Sequence, residues 1–413
     1  TTYTDESNYD LTTRQIPDFE FRNIYRDVLS NLKEAKKVIA TETSIESSAA
    51  EKKNKIAVTE ILSVYAFQRE VDIFGNVPYS QALDIANILP AYDDAQAIYG
   101  NLFSRLDAAI ADIDAGSGGF REGDLVYGGD MTKWLAFAYS LKLRMAITVA
   151  DVPALDPAGK AASAVAGGVL ASSSDNANFT YLAVSPNQNP VYVELVASGR
   201  YDWVPANTIV DIMDTLNDPR MPFYFEQNLG AGVYVGGIYG ESNSYASYTH
   251  VTESIQTPET NGLLMSYTEV QFYLAEAAAR GFISGSPDTY YNAGITSSIV
   301  DDWGGAAADA VAYLANPDVA YATAGGGTAT YKEKIAVQEW LAFYNRGLLG
   351  WTTWRRLDAP VFNIAPTITS IAEIPTRYTY SSAEQTLNGN SYNAAAAAIG
   401  GDSKTTKLFW DKY

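Results

Sequence analysis

Apolar residues recur at helical spacing in six separate windows of this chain, and that repetition restricts it to folds built by packing helix on helix. Phe21, Ile24, Tyr25, Val28 and Leu32 share one face, as do Val58, Ile61, Leu62 and Tyr65. The pattern returns at Leu102, Leu106, Ala109, Ile110 and Ile113, and at Trp134, Phe137, Ala138, Leu141 and Met145. After a long gap it reappears at Tyr267, Val270, Leu274, Ala277 and Ala278, then at Val337, Trp340, Leu341 and Tyr344. The spacing predicts helices near 18–41, 51–74, 93–114, 131–150, 266–281, 288–302 and 331–346. End signals agree: Ser266 with Glu269 spells a capping box, and Asp93-Asp94 suits the positive end of a helix dipole. Gly281 and Gly347, each directly after an arginine, read as helix stops.

These helices fall into consecutive pairs, each needing a neighbour to bury its face. The expected fold is therefore mostly α, a tetratricopeptide-like helix-pair stack with long loop-rich insertions and small β hairpins. No strict 34-residue consensus is visible, so the repeat reading rests on layout. The helical scaffold is expected over about 17–150 and 263–350, within a single unit spanning 1–413. A loop-rich insertion interrupts it at about 151–262, rich in Gly, Pro, Asn, Ser and Tyr. A second irregular stretch follows from Trp303 to Thr330, and a C-terminal segment covers 351–413.

Composition removes several function classes. The net charge of −20 opposes nucleic acid, which needs clustered Lys and Arg, and repels anionic lipid headgroups. No window of 18 or more uninterrupted apolar residues is present to span a bilayer. Cysteine is absent, so thiol nucleophiles, disulfides and thiolate metal sites are excluded, and His250 is the only histidine. No cofactor or metal is expected. Walker-type and G-x-S-x-G motifs and an EF-hand spacing are missing. A glycosidase needs two carboxylates about 5–10 Å apart across a cleft. Asp93-Asp94 and Asp301-Asp302 are adjacent pairs at a predicted helix start and end. Their side chains diverge by about 100° on a helix and cannot flank one bond. Asp93-Asp94 suits capping, while convergence of carboxylates distant in sequence leaves a glycan-cleaving enzyme as the lesser alternative.

Tyrosine is the unusual abundance, at 29 residues. In the insertion, Tyr201, Asp202 and Trp203 stand between Gly199-Arg200 and Pro205, where Trp203 falls in a turn. Tyr234, Tyr239, Tyr245 and Tyr248 follow without helical period. Sugar rings present apolar C–H faces that stack on Trp and Tyr, while polar neighbours satisfy the hydroxyls. These seven residues are the candidate ligand contacts. The competing role for Trp203 is to anchor the loop on the helix stack.

Five collinear blocks resemble the SusD/RagB family. Phe74-Gly75-Asn76-Val77-Pro78-Tyr79-Ser80-Gln81-Ala82 is similar to its F-G-D-[VI]-P-Y-[ST]-x-A segment, with Asn76 in place of Asp. Gly129-Asp130-Met131-Thr132-Lys133-Trp134 followed by Ser140-Leu141-Lys142-Leu143-Arg144 resembles a second block. Met265 to Ala277, Trp351 to Arg356, and Ile374-Pro375-Thr376-Arg377 with Glu384 to Asn393 complete the series, which runs on to Thr406-Lys407-Leu408-Phe409-Trp410-Asp411. The resemblance implies a non-catalytic, lipid-anchored binding protein on the extracellular face of the outer membrane of a Bacteroidetes-type bacterium. It implies an oligosaccharide ligand, or alternatively a peptide, and a TonB-dependent transporter as partner. Precursors in the family carry a signal peptide and a lipidated cysteine, which places an N-terminal portion outside the present chain. The motif residues read as scaffold: Gly75 and Pro78 setting a turn, Trp134 filling core, Arg355 and Arg356 pairing with carboxylates.

Overall fold

A computed structural model describes residues 4–43, 47–200 and 202–413. Among the described residues the chain is mostly helical, with two small two-stranded antiparallel sheets. It divides into two compact units. One comprises Tyr9–Val169 with Ala372–Lys412, and the other comprises Leu170–Ile371 with the residues up to Asn8 and Tyr413. Among the described residues no helix is long and apolar enough to cross a membrane.

In the first unit, Ile16–Arg22 runs through a π-helical stretch, Asn23–Leu29, into Ser30–Thr41. The wider turn, in which the Ser30 N–H donates to the Tyr25 carbonyl, moves the buried face by one residue. Leu29 is therefore 1% exposed, and Val28, placed on the inner face by a strict 3.6-residue period, is 36% exposed. Ala49–Phe74 starts with a complete capping box from Ser48 and Glu51 and packs between Ser30–Thr41 and Ala95–Asp112. Asp94 caps the latter by accepting from the Ala97 N–H at 2.9 Å. Trp134 is buried on Met131–Thr148, and its indole donates to Asp124 at 2.6 Å.

The helical pairing does not stop at 150. Pro157–Gly167 is a further helix packed on Met131–Thr148. Its inner face is Ala161 and Ala164, too small to register as a hydrophobic stripe. A Cβ on Gly167 would overlap the Tyr139 ring, so the residue without one sets how closely the two helices approach.

The Phe74-Gly75-Asn76 segment ends the long helix with Gly75 at φ +85°. Pro78 does not lie in the turn itself; it pairs with Tyr92 in the sheet of β1 (Val77–Pro78) and β2 (Tyr92–Asp93). Asn76 accepts the Ala95 N–H at 2.9 Å through its side-chain oxygen, a bond an Asp would also make. The C-terminal segment returns to this corner: buried Arg377 donates to the Phe74 carbonyl at 3.1 and 3.2 Å and pairs with Asp402 at 2.5 Å.

In the second unit, β3 (Ala177–Phe179) pairs with β4 (Gly262–Met265) and closes the base of an excursion over residues 180–261. Tyr267–Ala279 and Pro287–Ser297 pack as a pair, the latter running on through a π-helical turn, Ser298–Asp302. Tyr331–Ala342 pairs with Gly347–Leu357. Gly347 thus begins a helix and does not end one; the chain turns at Asn345, φ +61°. Gly281, at φ +73°, is the stop its position suggested. The Ser266 hydroxyl accepts the Glu269 N–H at 3.1 Å, while the Glu269 carboxylate is taken by Arg346 at 2.5 Å. Arg356 pairs with Glu276 at 2.9 Å, and Arg355 lies 3.7 Å from the Trp351 ring centroid.

The irregular stretches also contain short helices, Asn207–Leu216 and Ala307–Leu314. Each buries only two residues, Val210 with Met213 and Ala310 with Tyr313, so neither shows a periodic window of useful length. They are fixed by a buried polar knot. Arg220 makes a two-pronged bond to Asp218 at 2.9 and 2.5 Å and donates to Gln338 at 2.9 Å and Ser298 at 3.2 Å. The Tyr313 hydroxyl donates to Asp218 at 3.0 Å.

Candidate functional site

Within the 180–261 excursion, helix Pro190–Tyr192 passes into a π-helical turn, Val193–Ala197, and the chain then reverses at Gly199. The following segment is held at its far end by backbone bonds. Gly237 N–H donates to the Pro205 carbonyl, and Asn207 N–H to the Gly237 carbonyl, both at 2.8 Å. Gly236 permits this approach, because a Cβ there would collide with the Asn207 backbone. Between these anchors Trp203 stays 45% exposed.

The Arg200 guanidinium lies over the Trp203 ring, 5.2 Å from its centroid, and pairs with Asp202 at 2.7 Å. One cation therefore holds both the indole and the carboxylate in place. Across from them, an antiparallel bridge between Phe225 and Val251 brings Glu226 beside His250. The His250 ring stacks on Tyr245, with centroids 3.7 Å apart and planes 11° from parallel. Its Nδ1 lies 3.3 Å from Glu226 and its Nε2 3.0 Å from the Tyr245 carbonyl. Trp203 and Tyr245 line one cavity of about 340 Å³, together with Arg200, Glu226, Glu253 and Gln256. Two aromatic rings and a fringe of charged and amide groups make an apolar platform with hydrogen-bonding edges. That arrangement suits a polyhydroxylated ring better than a flat apolar ligand.

The other expected contacts are distributed differently. Asp202 reaches the cavity through Arg200, which it pairs. Tyr234 packs beside Phe225 at 6.5 Å and its hydroxyl accepts from Gln227 at 3.1 Å. Burial raises that phenol above its ordinary value, opposed by the Gln227 bond. Tyr239 is tied through its backbone N–H to Asn207 at 3.2 Å, and the Tyr248 carbonyl accepts from Asn228 at 3.0 Å. Tyr234, Tyr239 and Tyr248 are not among the residues lining this cavity. Tyr201 lies outside the described residues.

Arg200, Glu226, Glu253 and Gln256 also line the cavity, and none of them stands out as a contact in the sequence. Arg200 had a signal, since a cation two residues before Asp202 in a short loop can reach it. Glu226 had none, because its place depends on the bridge between Phe225 and the remote Val251. Among the described residues no cluster of three or more His, Asp or Glu is arranged to hold a metal ion.

The family model of the SusD-like type described as "Starch-binding associating with outer membrane" matches residues 1–381. No curated protein sequence matches the chain. Among solved structures, a protein named as chitin-binding is 28% identical, with a TM-score of 0.79 over 96% of this chain and 88% of its own. A chitin-binding SusD homologue from Flavobacterium johnsoniae is 26% identical, with a TM-score of 0.79 over 95% and 86%. A SusD-like protein from Bacteroides thetaiotaomicron is 26% identical, with a TM-score of 0.80 over 99% and 90%.

Proposed function

Given that this chain belongs to the SusD-like family of starch-binding, outer-membrane-associated proteins, we propose that it captures oligosaccharides at the cell surface and delivers them to a TonB-dependent transporter. The observation that carries the reading is the exposed Trp203, braced by Arg200 and Asp202, facing the same cavity as Tyr245. An indole left 45% in solvent and held by a cation is poorly explained as core. Its stacking face and polar neighbours match what a sugar ring offers. The chitin-binding relatives make oligomers of N-acetylglucosamine the first ligands to test. The family match through residue 381 supports treating the chain as one SusD-like unit, lipid-anchored on the extracellular face of the outer membrane and without catalytic activity.

The experiment is calorimetric titration of the purified protein with oligosaccharide and peptide panels, repeated on Trp203→Ala. Saccharide binding that weakens in the variant supports the proposal. Binding of peptides alone assigns the site to the other cargo, and saccharide binding indifferent to Trp203 removes the site.

A further inference from the structure

We propose that a second cleft in the same unit, bounded by Asn178, Asn261, Asn345 and Trp303, binds an uncharged oligosaccharide independently of the Trp203 cavity. The inference rests on the reading of the chain as a glycan binder. The cleft encloses about 680 Å³, twice the volume beside Trp203 and within the ~300–1,000 Å³ typical of small-molecule sites.

The lining is unusual for a gap left by packing. Asn178 comes from β3, Asn261 from the residue before β4, and Asn345 from the turn between Tyr331–Ala342 and Gly347–Leu357. None of these three side-chain amides makes a hydrogen bond with another described residue, whereas Asn176 and Asn189 in the same wall are both engaged. Asn176 accepts the Tyr267 N–H at 2.7 Å, and Asn189 donates to the Thr260 carbonyl at 2.7 Å. The wall therefore separates into amides that hold the fold and amides left open to a ligand. A primary amide both donates and accepts, which matches hydroxyl and acetamido groups. Trp303 supplies the ring surface; it packs on Tyr224 with centroids 4.5 Å apart, and that contact fixes its orientation.

Charge decides which saccharides enter. Asp301 and Asp302 line the cleft, and the Arg346 guanidinium is already paired with Glu269 at 2.5 Å. Among the described residues that line the cleft no other cation stands ready to receive a uronate or sialate carboxylate, and two acidic groups oppose one. A neutral chain meets donors, acceptors and an indole without that repulsion.

The test is calorimetric titration with N-acetylglucosamine tetramer and, separately, an oligogalacturonate of the same length. The proteins are wild type, Trp203→Ala, the double variant Asn261→Ala/Asn345→Gly, and all three changes together. Asn261 and Asn345 are both exposed, and glycine keeps the left-handed backbone of Asn345, so folding is preserved. The expected result is two sites for the neutral tetramer in wild type and one in Trp203→Ala. The double variant should weaken the remaining site about tenfold or more, the loss of two hydrogen bonds. The galacturonate should not occupy the cleft. A single site in wild type that the double variant leaves unchanged overturns the cleft and keeps the Trp203 reading. One site lost only in the double variant overturns the Trp203 assignment and keeps the cleft. No saccharide binding by wild type overturns both.

Discussion

At Trp203 the indole carries a guanidinium on one side and solvent over nearly half its surface, whereas at Trp134 it is enclosed and its N–H is bonded. Truncation should therefore separate the two roles. Trp203→Ala is expected to lose on the order of 1–3 kcal/mol of saccharide affinity with little change in melting temperature, measured by calorimetry and thermal unfolding. A large fall in melting temperature with unchanged affinity would make the ring an anchor. A different residue-scale effect is expected at Glu339. Burial drives its carboxyl up to about 8, the neighbouring Arg356 opposes the rise and Glu276 adds to it. Arg356 is already shared with Glu276, which leaves the Glu339 carboxylate poorly compensated. Because the folded value lies above the ordinary 4.5, the contribution of Glu339 is full below that pH and is lost as pH rises towards 8. Glu339→Gln should thus be more stable than wild type by roughly 1–3 kcal/mol at pH 8, with the gap closing at pH 5. Parallel stability curves for the two proteins across that range would refute it.

At the scale of elements, the short helices depend on polar fastening more than on apolar area. Asn207–Leu216 and Ala307–Leu314 each bury only two residues, yet both are joined to Tyr331–Ala342 through Asp218, Arg220, Tyr313 and Gln338. Removing either charged member, Asp218 or Arg220, leaves the opposite charge stranded in the interior. Arg220→Ala is expected to cost about 3–5 kcal/mol in chemical unfolding, because Asp218 would keep only neutral donors. The double variant Arg220→Met/Asp218→Asn should cost less than Arg220→Ala alone, and a cost equal to the sum of the singles would exclude a coupled knot. The π-helical stretch at Asn23–Leu29 shows how one element departs from its pattern: a single wider turn exchanges Val28 for Leu29 on the inner face.

For the whole molecule, the expectation is capture without chemistry. Prolonged incubation with an oligosaccharide that the protein binds should return that oligosaccharide at full length by chromatography. Shortened products abolished by one Asp or Glu substitution would show an enzyme instead. The net charge of −20 gives a second check, since affinity for an uncharged glycan should vary little with salt, while the repulsion of anionic glycans should weaken as salt screens it.

The helices with long apolar stripes, the caps at Asp94 and Ser266, and the helical SusD-like class are all written in the amino-acid sequence. These follow from contacts three and four residues apart, which the chain writes locally. The sequence alone does not determine the Pro157–Gly167 helix, whose inner face is alanine, nor the role of Gly347, because a turn at Asn345 with positive φ leaves no hydrophobic mark. Tertiary structure alone decided the fate of the insertion's aromatics. Trp203 and Tyr245 face one cavity while Tyr234 packs against Phe225, although all three look alike in their Gly- and Ser-rich surroundings. The difference comes from the Phe225–Val251 and Ala206–Gly237 bridges and from the closure of β3 on β4. Such pairings join residues far apart in the chain, and their energy depends on partners that no local window contains.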